Sequence, residues 1–414
     1  MSAQKAAVVA MGAPTVPSVA RLYSHTATES ITVQRHPVQF TGTGAGYFRI
    51  WLTGALLTLI TLGLYHPWAK ARRLRYIHRH TRVANHALAF HGQPKRMLRG
   101  HLLMATLLAA YSLASRVSGS TGLIAALIVA GLSPALLHGA MQFKLAHTSW
   151  NGVRFHFTGR LLDAYKLVLV PAGILLGVAA LSAILAIMVS QGSARVAGTV
   201  FTIPFALSLY ALAPYTWWRL KRYQHNHLAL GSLETRFRVQ PWDVAKVFVK
   251  TALVALASMI LAAGLFALLL GLTVSSLPAG SSTPLASAFR SMYPLLLLFL
   301  ATSQLAPYAF FTSRMQNLVW SNTGNTWLRF KSRLSFKSLL NLSLKNAVLT
   351  AVTLGLYWPV AQMAWTRARL TAITITIHTR IRPDQVAAQA RAHAAGGDAS
   401  GDAAADLMGL GTAL

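Results

Sequence analysis

Three histidines recur at the same position of a repeated sequence pattern. His80, His147 and His227 each follow a proline by 13 residues, and each precedes a phenylalanine by 10 residues. Neutral imidazoles bind transition metals, so three of them around a common axis would form a metal site. The alternative is structural, with each imidazole capping a helix end or bonding the adjacent hairpin. Because Trp320 takes this position in a fourth copy, we favour the structural role and predict no metal and no cofactor.

Groups for acid–base or nucleophilic chemistry are scarce in the rest of the chain. There are 8 Asp and Glu residues and no cysteine, and none of the acids lies inside a long apolar segment. Disulfides, cysteine zinc sites and thiol catalysis are therefore excluded, and carboxylate pairs for hydrolysis or two-metal chemistry are missing. Walker, dinucleotide-binding, HExxH and nucleophile-elbow motifs do not occur. We therefore predict that the protein is not an enzyme and has no acidic proton relay.

The composition is typical of a membrane protein with basic edges. The chain has 414 residues, with 38 Lys and Arg against 8 Asp and Glu, which gives a formal charge of +30. Only 11% of the residues are charged, whereas 54% are hydrophobic. A soluble domain carries roughly 25% charged residues, so this chain has too few polar groups to cover a surface in water. The composition therefore predicts a polytopic membrane protein.

Eight apolar segments are long enough, or nearly so, to cross about 30 Å of hydrocarbon at about 1.5 Å per residue. Six are clear helices and the first and last are shorter; they cover about 50–68, 101–118, 121–143, 165–190, 196–217, 247–277, 290–312 and 339–361. Together they define one membrane domain over residues 30–386. The flanking segments, 1–29 and 387–414, have no such run and are predicted to be disordered tails.

The Lys and Arg residues are concentrated in the links between helix pairs. The links within the pairs hold only single arginines such as Arg116 and Arg195, whereas 69–100, 219–246 and 314–338 are strongly basic. Because cytoplasmic loops are enriched in Lys and Arg, three helix hairpins should point outward and the basic links should face the cytoplasm. Beside helix ends, such cations can contact anionic lipid headgroups, and we predict this role rather than nucleic-acid binding. The candidate headgroup contacts are Arg72, Arg73, Arg75, Arg219, Lys221 and Arg222.

The first and last apolar segments have basic residues on both sides. Arg49 precedes the first, and Arg367 and Arg369 follow the last. A single crossing would place one basic end of each segment outside the cell, against the charge rule. A helix pair that re-enters the membrane and is broken at a glycine would keep both ends inside. The sequence leaves both arrangements open, and we favour re-entry.

A 13-residue motif occurs in both of these segments, at a separation of 292 residues. Leu57 to Ala69 reads Leu-Thr-x-x-Thr-Leu-Gly-Leu-Tyr-x-Pro-x-Ala, and Leu349 to Ala361 has the same pattern. The glycines permit a helix break or close helix approach, and the tyrosines suit a membrane interface, so the motifs could line a pathway. The alternative, which we favour, is that they only pack the terminal segments together. The residues concerned are Gly63, Tyr65, Pro67, Gly355, Tyr357 and Pro359.

Each copy of the fourfold histidine pattern also contains a predicted β-hairpin. After the proline, a helix runs into a basic, aromatic end, and a turn follows at Ala84-Asn85, Asn151-Gly152, Gly231-Ser232 and Gly324-Asn325. Asn-Gly is typical of two-residue hairpin turns, and the flanking residues alternate between apolar and polar as strands do. Residues 373–377 alternate as well and could complete a small sheet. The predicted fold is therefore an all-α polytopic membrane protein with internal repeats and short cytoplasmic β-hairpins between transmembrane helix pairs.

Four motifs of the sequence resemble motifs of the YjgN family of bacterial inner-membrane proteins, a domain of unknown function. They are Phe40-Thr-Gly, Thr61-Leu-Gly-Leu-Tyr-x-Pro-Trp68, the segment from Arg72 to Tyr76, and Phe90-His91-Gly92. The resemblance covers roughly residues 38–382, which is nearly all of the chain except the tails. It implies a multi-pass protein of the cytoplasmic membrane. It implies no activity that could be transferred to residues of this sequence.

Two hypotheses for function follow. The repeats, the broken helices and the positive charge favour a transporter or channel-like protein for an unidentified, anionic solute. The basic edges and the lack of acids at membrane depth favour a non-transport membrane scaffold or a protein that interacts with anionic lipids. A continuous polar cavity between the repeats would support the first hypothesis, and a solidly packed bundle would count against it. The sequence indicates neither the solute nor an oligomeric state.

Overall fold

The computed structural model describes residues 33–231, 233–276, 284–326 and 328–378. The predicted disordered tails, 1–29 and 387–414, lie outside the described residues, as do the two ends of the predicted membrane domain. The described part of the chain is mostly helical, and short strands lie between the helices in chain order. The coarse prediction of a helical polytopic protein is therefore confirmed.

Eleven helices are present in the described residues, and most of them begin or end next to a strand. In chain order they are α1 Gly44–Ile60, α2 His66–His80, α3 Pro94–Val117, α4 Gly119–Ala146, α5 Leu161–Ser190, α6 Ala194–Asn226, α7 Pro241–Ser275, α8 Pro284–Ser303, α9 Leu305–Ser321, α10 Phe336–Val352 and α11 Trp358–Thr371.

Six stretches of the described chain have the length and apolar composition of membrane-crossing helices: Pro94–Val117, Gly119–Ala146, Leu161–Ser190, Ala194–Asn226, Pro241–Ser275 and Ala286–Ser321. They match the six clear apolar segments of the sequence. Some predicted bounds were too short, because a helix continues through polar residues that lower the local hydropathy without breaking the backbone. The segment predicted at 196–217 runs to Asn226, and the one at 290–312 is two helices interrupted at Gln304.

Twelve short strands form two antiparallel sheets. They are β1 Val33–Pro37, β2 Gln39–Phe40, β3 Thr81–Val83, β4 His86–Phe90, β5 Thr148–Trp150, β6 Val153–Phe157, β7 Leu228–Leu230, β8 Leu233–Glu234, β9 Arg236–Phe237, β10 Thr323–Gly324, β11 Leu328–Ser332 and β12 Ile373–His378. The order is β1-β12-β11-β10-β9 in one sheet and β2-β3-β4-β5-β6-β7-β8 in the other.

The two sheets join into a closed strand ring. Val38 alone separates the edge strands β1 and β2, and Thr235 alone separates β8 and β9, so the chain passes directly from one sheet to the other at both edges. The ring is completed where β1, near the start of the described chain, pairs with β12 near its end, with Val33 opposite His378.

Two of the four predicted hairpin turns have the expected backbone; the third, Gly231-Ser232, includes Ser232, which lies outside the described residues, and the fourth differs. Ala84 and Asn85 have φ values of 48° and 64°, and Asn151 and Gly152 have 49° and 78°, so both turns have the left-handed pair typical of type I′. In the fourth hairpin, however, Gly324 pairs with Arg329 and the loop is longer than predicted. The Asn325 side chain accepts a 2.7 Å hydrogen bond from the Leu328 amide and closes this loop instead.

Each of the two terminal apolar segments, 50–68 and 339–361, contains a break, as in the broken helix pair that we favoured. Residues 61–65 separate α1 from α2, and 353–357 separate α10 from α11. Gly63 and Gly355 lie in these breaks with φ of 93° and 91°. Because α1 follows β2, α2 precedes β3, and these strands pair, the chain enters and leaves the first helix pair at the same end. The paired strands β11 and β12 have the same relation to α10 and α11.

Hydrogen bonds of the same kind shape both breaks. Thr61 Oγ1 donates to the Leu57 carbonyl at 2.7 Å and accepts from the Tyr65 amide at 2.9 Å. Thr353 Oγ1 repeats this with Leu349 at 2.7 Å and with Tyr357 at 3.0 Å. The threonine hydroxyl thus satisfies backbone groups that the broken helix leaves free, which is a condition for a break inside a membrane.

The helices form a ring above the strands. Most pack mainly on their neighbours in chain order, α9 packs mainly on α7 and α10, and α11 packs on α1, which closes the circle. Buried residues are concentrated in the helix halves next to the strands, such as Pro134 to Phe143 in α4. At most 28% of the apolar window of any membrane-crossing helix is buried. The far halves therefore expose apolar surface that only lipid can cover.

We predict that Gly63→Ala destabilises the protein by about 1–2 kcal/mol, because alanine is strained at a φ near +93°. No atom lies within 4 Å of the position of the new Cβ, so the backbone alone would produce the effect. The measurement is the melting temperature of the purified protein in detergent. Gly131→Ala is the matched control, because Gly131 is helical and equally uncrowded. An equal melting temperature for both variants would contradict the prediction.

Candidate functional site

The three repeated histidines each bond their own helix. Nδ1 of His80, His147 and His227 lies 2.7, 2.8 and 3.0 Å from the carbonyl oxygen four residues earlier. Each ring also packs on the aromatic ring of that earlier residue, with centroids 4.2 to 5.5 Å apart. No group of three potential metal ligands occurs among the described residues. The geometry is that of helix-end caps.

Three of the predicted headgroup cations, Arg72, Arg219 and Arg222, lie on aromatic rings at the strand-side halves of the helices, as do Lys246 and Arg314. We call these pairs the rim: Tyr65–Arg72, Tyr215–Arg219, Trp218–Arg222, Trp242–Lys246 and Phe310–Arg314, with the cation 5.2 to 5.9 Å from the ring centroid. All but Arg219 are exposed. Aromatic rings and long cationic side chains together are typical of a membrane–water interface.

The remaining predicted headgroup cations have other surroundings. Arg75 is exposed but donates to the Gly92 carbonyl at 2.9 Å, which ties α2 to the start of α3. Arg73 faces α1 across an open groove that also contains Trp51 and His66, and its Nε is buried without a hydrogen-bond partner among the described residues. The sequence predicts Arg73 at the surface, whereas the structure places it inside the broken helix pair.

Lys221 does not lie on the outer rim either. Its ammonium group is 5.4 Å from the Trp217 ring and donates to Gln224 Oε1 at 3.1 Å. The charges of Lys144 on α4 and Arg369 on α11 both act on it. Lys144 lines the apolar cavity inside the strand ring, and Lys221 and Arg369 are half-buried on two other helices. We call them the interior cation cluster.

The orientation of Arg369 is fixed by Gln316 on α9. Arg369 Nε donates to Gln316 Oε1 at 2.9 Å, and Gln316 Nε2 donates to the Arg369 carbonyl at 2.8 Å. Gln316 is itself buried, so the guanidinium position is determined by packing. The terminal amino groups of Arg369 make no hydrogen bond within the described part of the chain and are available for an anion.

An apolar cavity of about 140 Å³ lies inside the strand ring, and Lys144 is part of its wall. Its other lining residues are aliphatic and aromatic side chains from the strands and helix ends, including Trp150, Phe155, Trp320 and Phe330. The space enclosed by the strands is therefore apolar, with a cation at its edge.

The motif residues of the broken helix pairs have structural positions. Pro67 and Pro359 are fully buried near the first turns of α2 and α11, where a proline needs no amide partner. Tyr65 stacks on Trp68 at 5.9 Å and supports Arg72. Gly63 and Gly355 provide the left-handed backbone of the breaks. These contacts lie within each broken helix pair.

Sequence reasoning missed Lys144, Arg369 and Gln316. One signal could have found the two cations, because each lies ten residues after a proline at the start of the strand-side helix segment: Pro134 for Lys144 and Pro359 for Arg369. Lys144 is also a cation at the end of an otherwise apolar helix. That their charges act on Lys221 depends on the arrangement of helices that are far apart in the sequence.

Six membrane-crossing helices and two broken helix pairs on a strand ring define a polytopic α-helical membrane protein. The chain belongs to the family described as "Bacterial protein of unknown function (DUF898)", which matches residues 35–407. It is similar to the inner membrane protein YjgN of Salmonella typhimurium (strain LT2), with 27% identity over 348 residues, 78% of this chain and 84% of that protein. The resemblance noted in the sequence is thereby confirmed.

A second relative is the inner membrane protein YjgN of Escherichia coli O157:H7, with 30% identity over 131 residues, 30% of this chain and 32% of that protein. No solved structure matches the chain. The protein is a multi-pass protein of the bacterial inner membrane.

His78 predicts a pH dependence of stability. It is buried at the end of α2, where burial first and then the charge of Lys144 lower its pKa to about 4, against a smaller opposite effect of its bond to Leu74. Between about pH 6.5 and 4 the unfolded chain binds a proton that the folded protein excludes, so stability falls as the pH falls. The loss reaches about 3 kcal/mol at most.

The measurement is the melting temperature in detergent from pH 7 to pH 4. His78→Gln removes the titrating group and should make the decline shallower, whereas His86→Gln, at an exposed position of β4, should leave it unchanged. The same slope in the native protein and in His78→Gln would disprove the assignment.

Proposed function

We propose that this inner-membrane protein binds anionic lipids through its basic, aromatic rim. The observation that carries the proposal is the rim itself, in which exposed cations lie over aromatic rings at 5.2 to 5.9 Å. Among the described rim cations only Lys246 has an acidic partner, Asp243 at 3.4 Å. The others can meet lipid phosphates, and each cation near an anionic membrane surface contributes about 1 kcal/mol.

We also propose that the strand ring lies on the cytoplasmic side. All the basic links connect to it, whereas the opposite helix ends carry only single arginines such as Arg116 and Arg195. This asymmetry follows the rule that Lys and Arg remain inside. In this orientation both broken helix pairs start and finish at the cytoplasmic face. The exposed leucines at their tips, Leu62 and Leu354, would then lie in hydrocarbon.

A second candidate function is the passage of an anionic solute. It is favoured by the interior cation cluster, of which Lys144 lines the cavity inside the strand ring. The strand ring counts against an open pathway, because the space that it encloses is apolar. A hydrated anion would cross this constriction only if the ring opened, as in pores that close by dewetting. The rim therefore supports lipid binding more directly than the interior supports transport.

We predict that single introduced cysteines report this topology without background, since the natural chain has no cysteine. Ser120→Cys, next to the α3–α4 junction, should react with a membrane-impermeant maleimide in intact cells. His86→Cys, on the strand ring, should react only after the inner membrane is opened. Leu64→Cys, in the break after α1, should react in neither case. Labelling of Leu64→Cys from outside would show that this segment crosses the membrane.

We further predict that phosphatidylglycerol raises the melting temperature of the detergent-solubilised protein more than phosphatidylcholine does. The double variant Arg72→Gln/Arg222→Gln removes two exposed rim cations and should lose at least half of this difference. Arg116→Gln/Arg195→Gln is the matched control, because it removes two exposed arginines from the opposite helix ends. If both double variants respond like the native protein, the rim does not bind anionic lipid.

A further inference from the structure

A basic groove of about 670 Å³ lies on the outer face of the strand ring, across β1, β12 and β11. Its walls carry four cations and two threonine hydroxyls, from Arg35, Arg329, Lys331, Arg333, Thr374 and Thr376. On β12 these threonines alternate with Ile373, Ile375 and Ile377, which line the cavity inside the ring. Because successive side chains of a strand point to opposite faces, the groove faces outward. We call it the basic groove.

The strand register brings the cations of the groove close together. Arg35 on β1 is paired with Thr376 on β12, and Thr376 is paired with Arg329 on β11. Neighbouring strands are about 4.8 Å apart, so the Cα atoms of Arg35 and Arg329 are about 10 Å apart. Lys331 lies two residues beyond Arg329 on the same face, at a distance of about 7 Å. One short anionic segment can therefore contact all three cations.

The charges of the groove are not compensated within the described residues. All four cations are exposed, and their side chains have no hydrogen bond or ion pair in the described ranges of the chain. The described acids Asp163, Glu234 and Asp243 are not part of the groove wall. Like charges on neighbouring strands are destabilising. An anion in the groove would therefore stabilise the sheet as well as bind to it.

Half of the acids of this protein follow β12 in the sequence. They are Asp384, Asp398, Asp402 and Asp406, which lie outside the described residues. The last three are spaced four residues apart, and residues 392–414 contain no Lys or Arg. This stretch is therefore acidic, although the whole chain has a formal charge of +30. We call residues 398–406 the acidic segment.

The chain leaves the ring beside the basic groove. β12 contributes Thr374 and Thr376 to the groove and ends at His378. About 20 residues join His378 to Asp398, and at about 3.3 Å per residue they can span up to about 65 Å. The family match runs to residue 407, so it includes the whole acidic segment. Position, length and charge thus all make this segment a suitable occupant of the groove.

We propose that the basic groove binds the acidic segment of the same chain, with the three aspartates on Arg35, Arg329, Lys331 and Arg333. Exposed ion pairs are individually weak. Because the segment is tethered to β12, however, its effective concentration at the groove is on the order of millimolar, and several weak pairs act together. The contact covers the outer face of the ring and uses none of the rim cations. Its test and the rim test can therefore fail independently.

The experiment measures disulfide formation in the full-length protein, which has no natural cysteine. Thr376→Cys lies in the groove between Arg35 and Arg329, and Ser400→Cys lies between Asp398 and Asp402. Phosphatidylcholine nanodiscs with one copy each restrict the reaction to cysteines of the same chain. Under mild oxidation this pair should form a disulfide at least tenfold faster than His86→Cys/Ser400→Cys, in which His86 is exposed on the other sheet.

Neutralising the acidic segment tests its charge without changing the groove. Asp398→Asn/Asp402→Asn/Asp406→Asn should slow disulfide formation at least tenfold. Salt at about 1 M should act in the same direction, because it shortens the Debye length to about 3 Å. These substitutions lie outside the strand ring, so this arm does not depend on the stability of altered strands.

Reversal of the charges tests direct contact. Arg329→Glu/Lys331→Glu should slow the reaction at least tenfold, and adding Asp398→Lys/Asp402→Lys/Asp406→Lys should restore it to within about threefold of the original rate. Arg82→Glu/Arg154→Glu is the matched control, because it reverses two exposed cations on strands of the other sheet and should leave the rate unchanged.

Equal rates for the Thr376 and His86 pairs, or an unchanged rate in the asparagine variant, would overturn the proposal. The groove would then be open to a different anion. Inorganic pyrophosphate that raises the melting temperature of the native protein, but not that of Arg329→Gln/Lys331→Gln, would in that case assign the groove to a soluble phosphate instead.

Discussion

Closure of the strand ring is the constraint on which the rest of the structure depends. The backbone hydrogen bonds between β1 and β12 bring the two ends of the described chain together and complete a circle of twelve short strands. Each strand is too short to be stable in isolation, so the ring holds only because every hairpin pairs with the next one. The helices that begin and end at these strands are thereby arranged in a ring of their own.

This arrangement divides the positive charge of the chain between two environments. The rim cations Arg72 and Arg222 lie on aromatic rings and are exposed. The cations of the interior cluster are half-buried, and burial strengthens the repulsion that Lys144 and Arg369 exert on Lys221. Lys221 and Arg222 are both cations and are adjacent in the sequence. They belong to different environments because they point to different sides of α6.

The broken helix pairs show how a local sequence signal acts on the global fold. A glycine with positive φ and a threonine hydroxyl that takes up free backbone groups allow each pair to turn back after about 25 Å of helix. After each pair the chain returns to a strand that is paired with the one it left. Each pair therefore adds two helices to the ring, and the chain begins and ends the pair at the same side. The number of complete crossings is therefore set by the three long hairpins.

The sequence by itself determined the features that depend on neighbours along the chain. The six apolar helices, the type I′ turns at Ala84-Asn85 and Asn151-Gly152, and the breaks at Gly63 and Gly355 follow from hydropathy and backbone preference. Only the tertiary structure decided which surroundings each polar or charged side chain has. The repeated histidines bond their own helices, and the charges of Lys144 and Arg369, on two other helices, act on Lys221. Closure of the ring determines which residues of separate helices come near one another. Hydropathy and residue spacing along the sequence do not predict this.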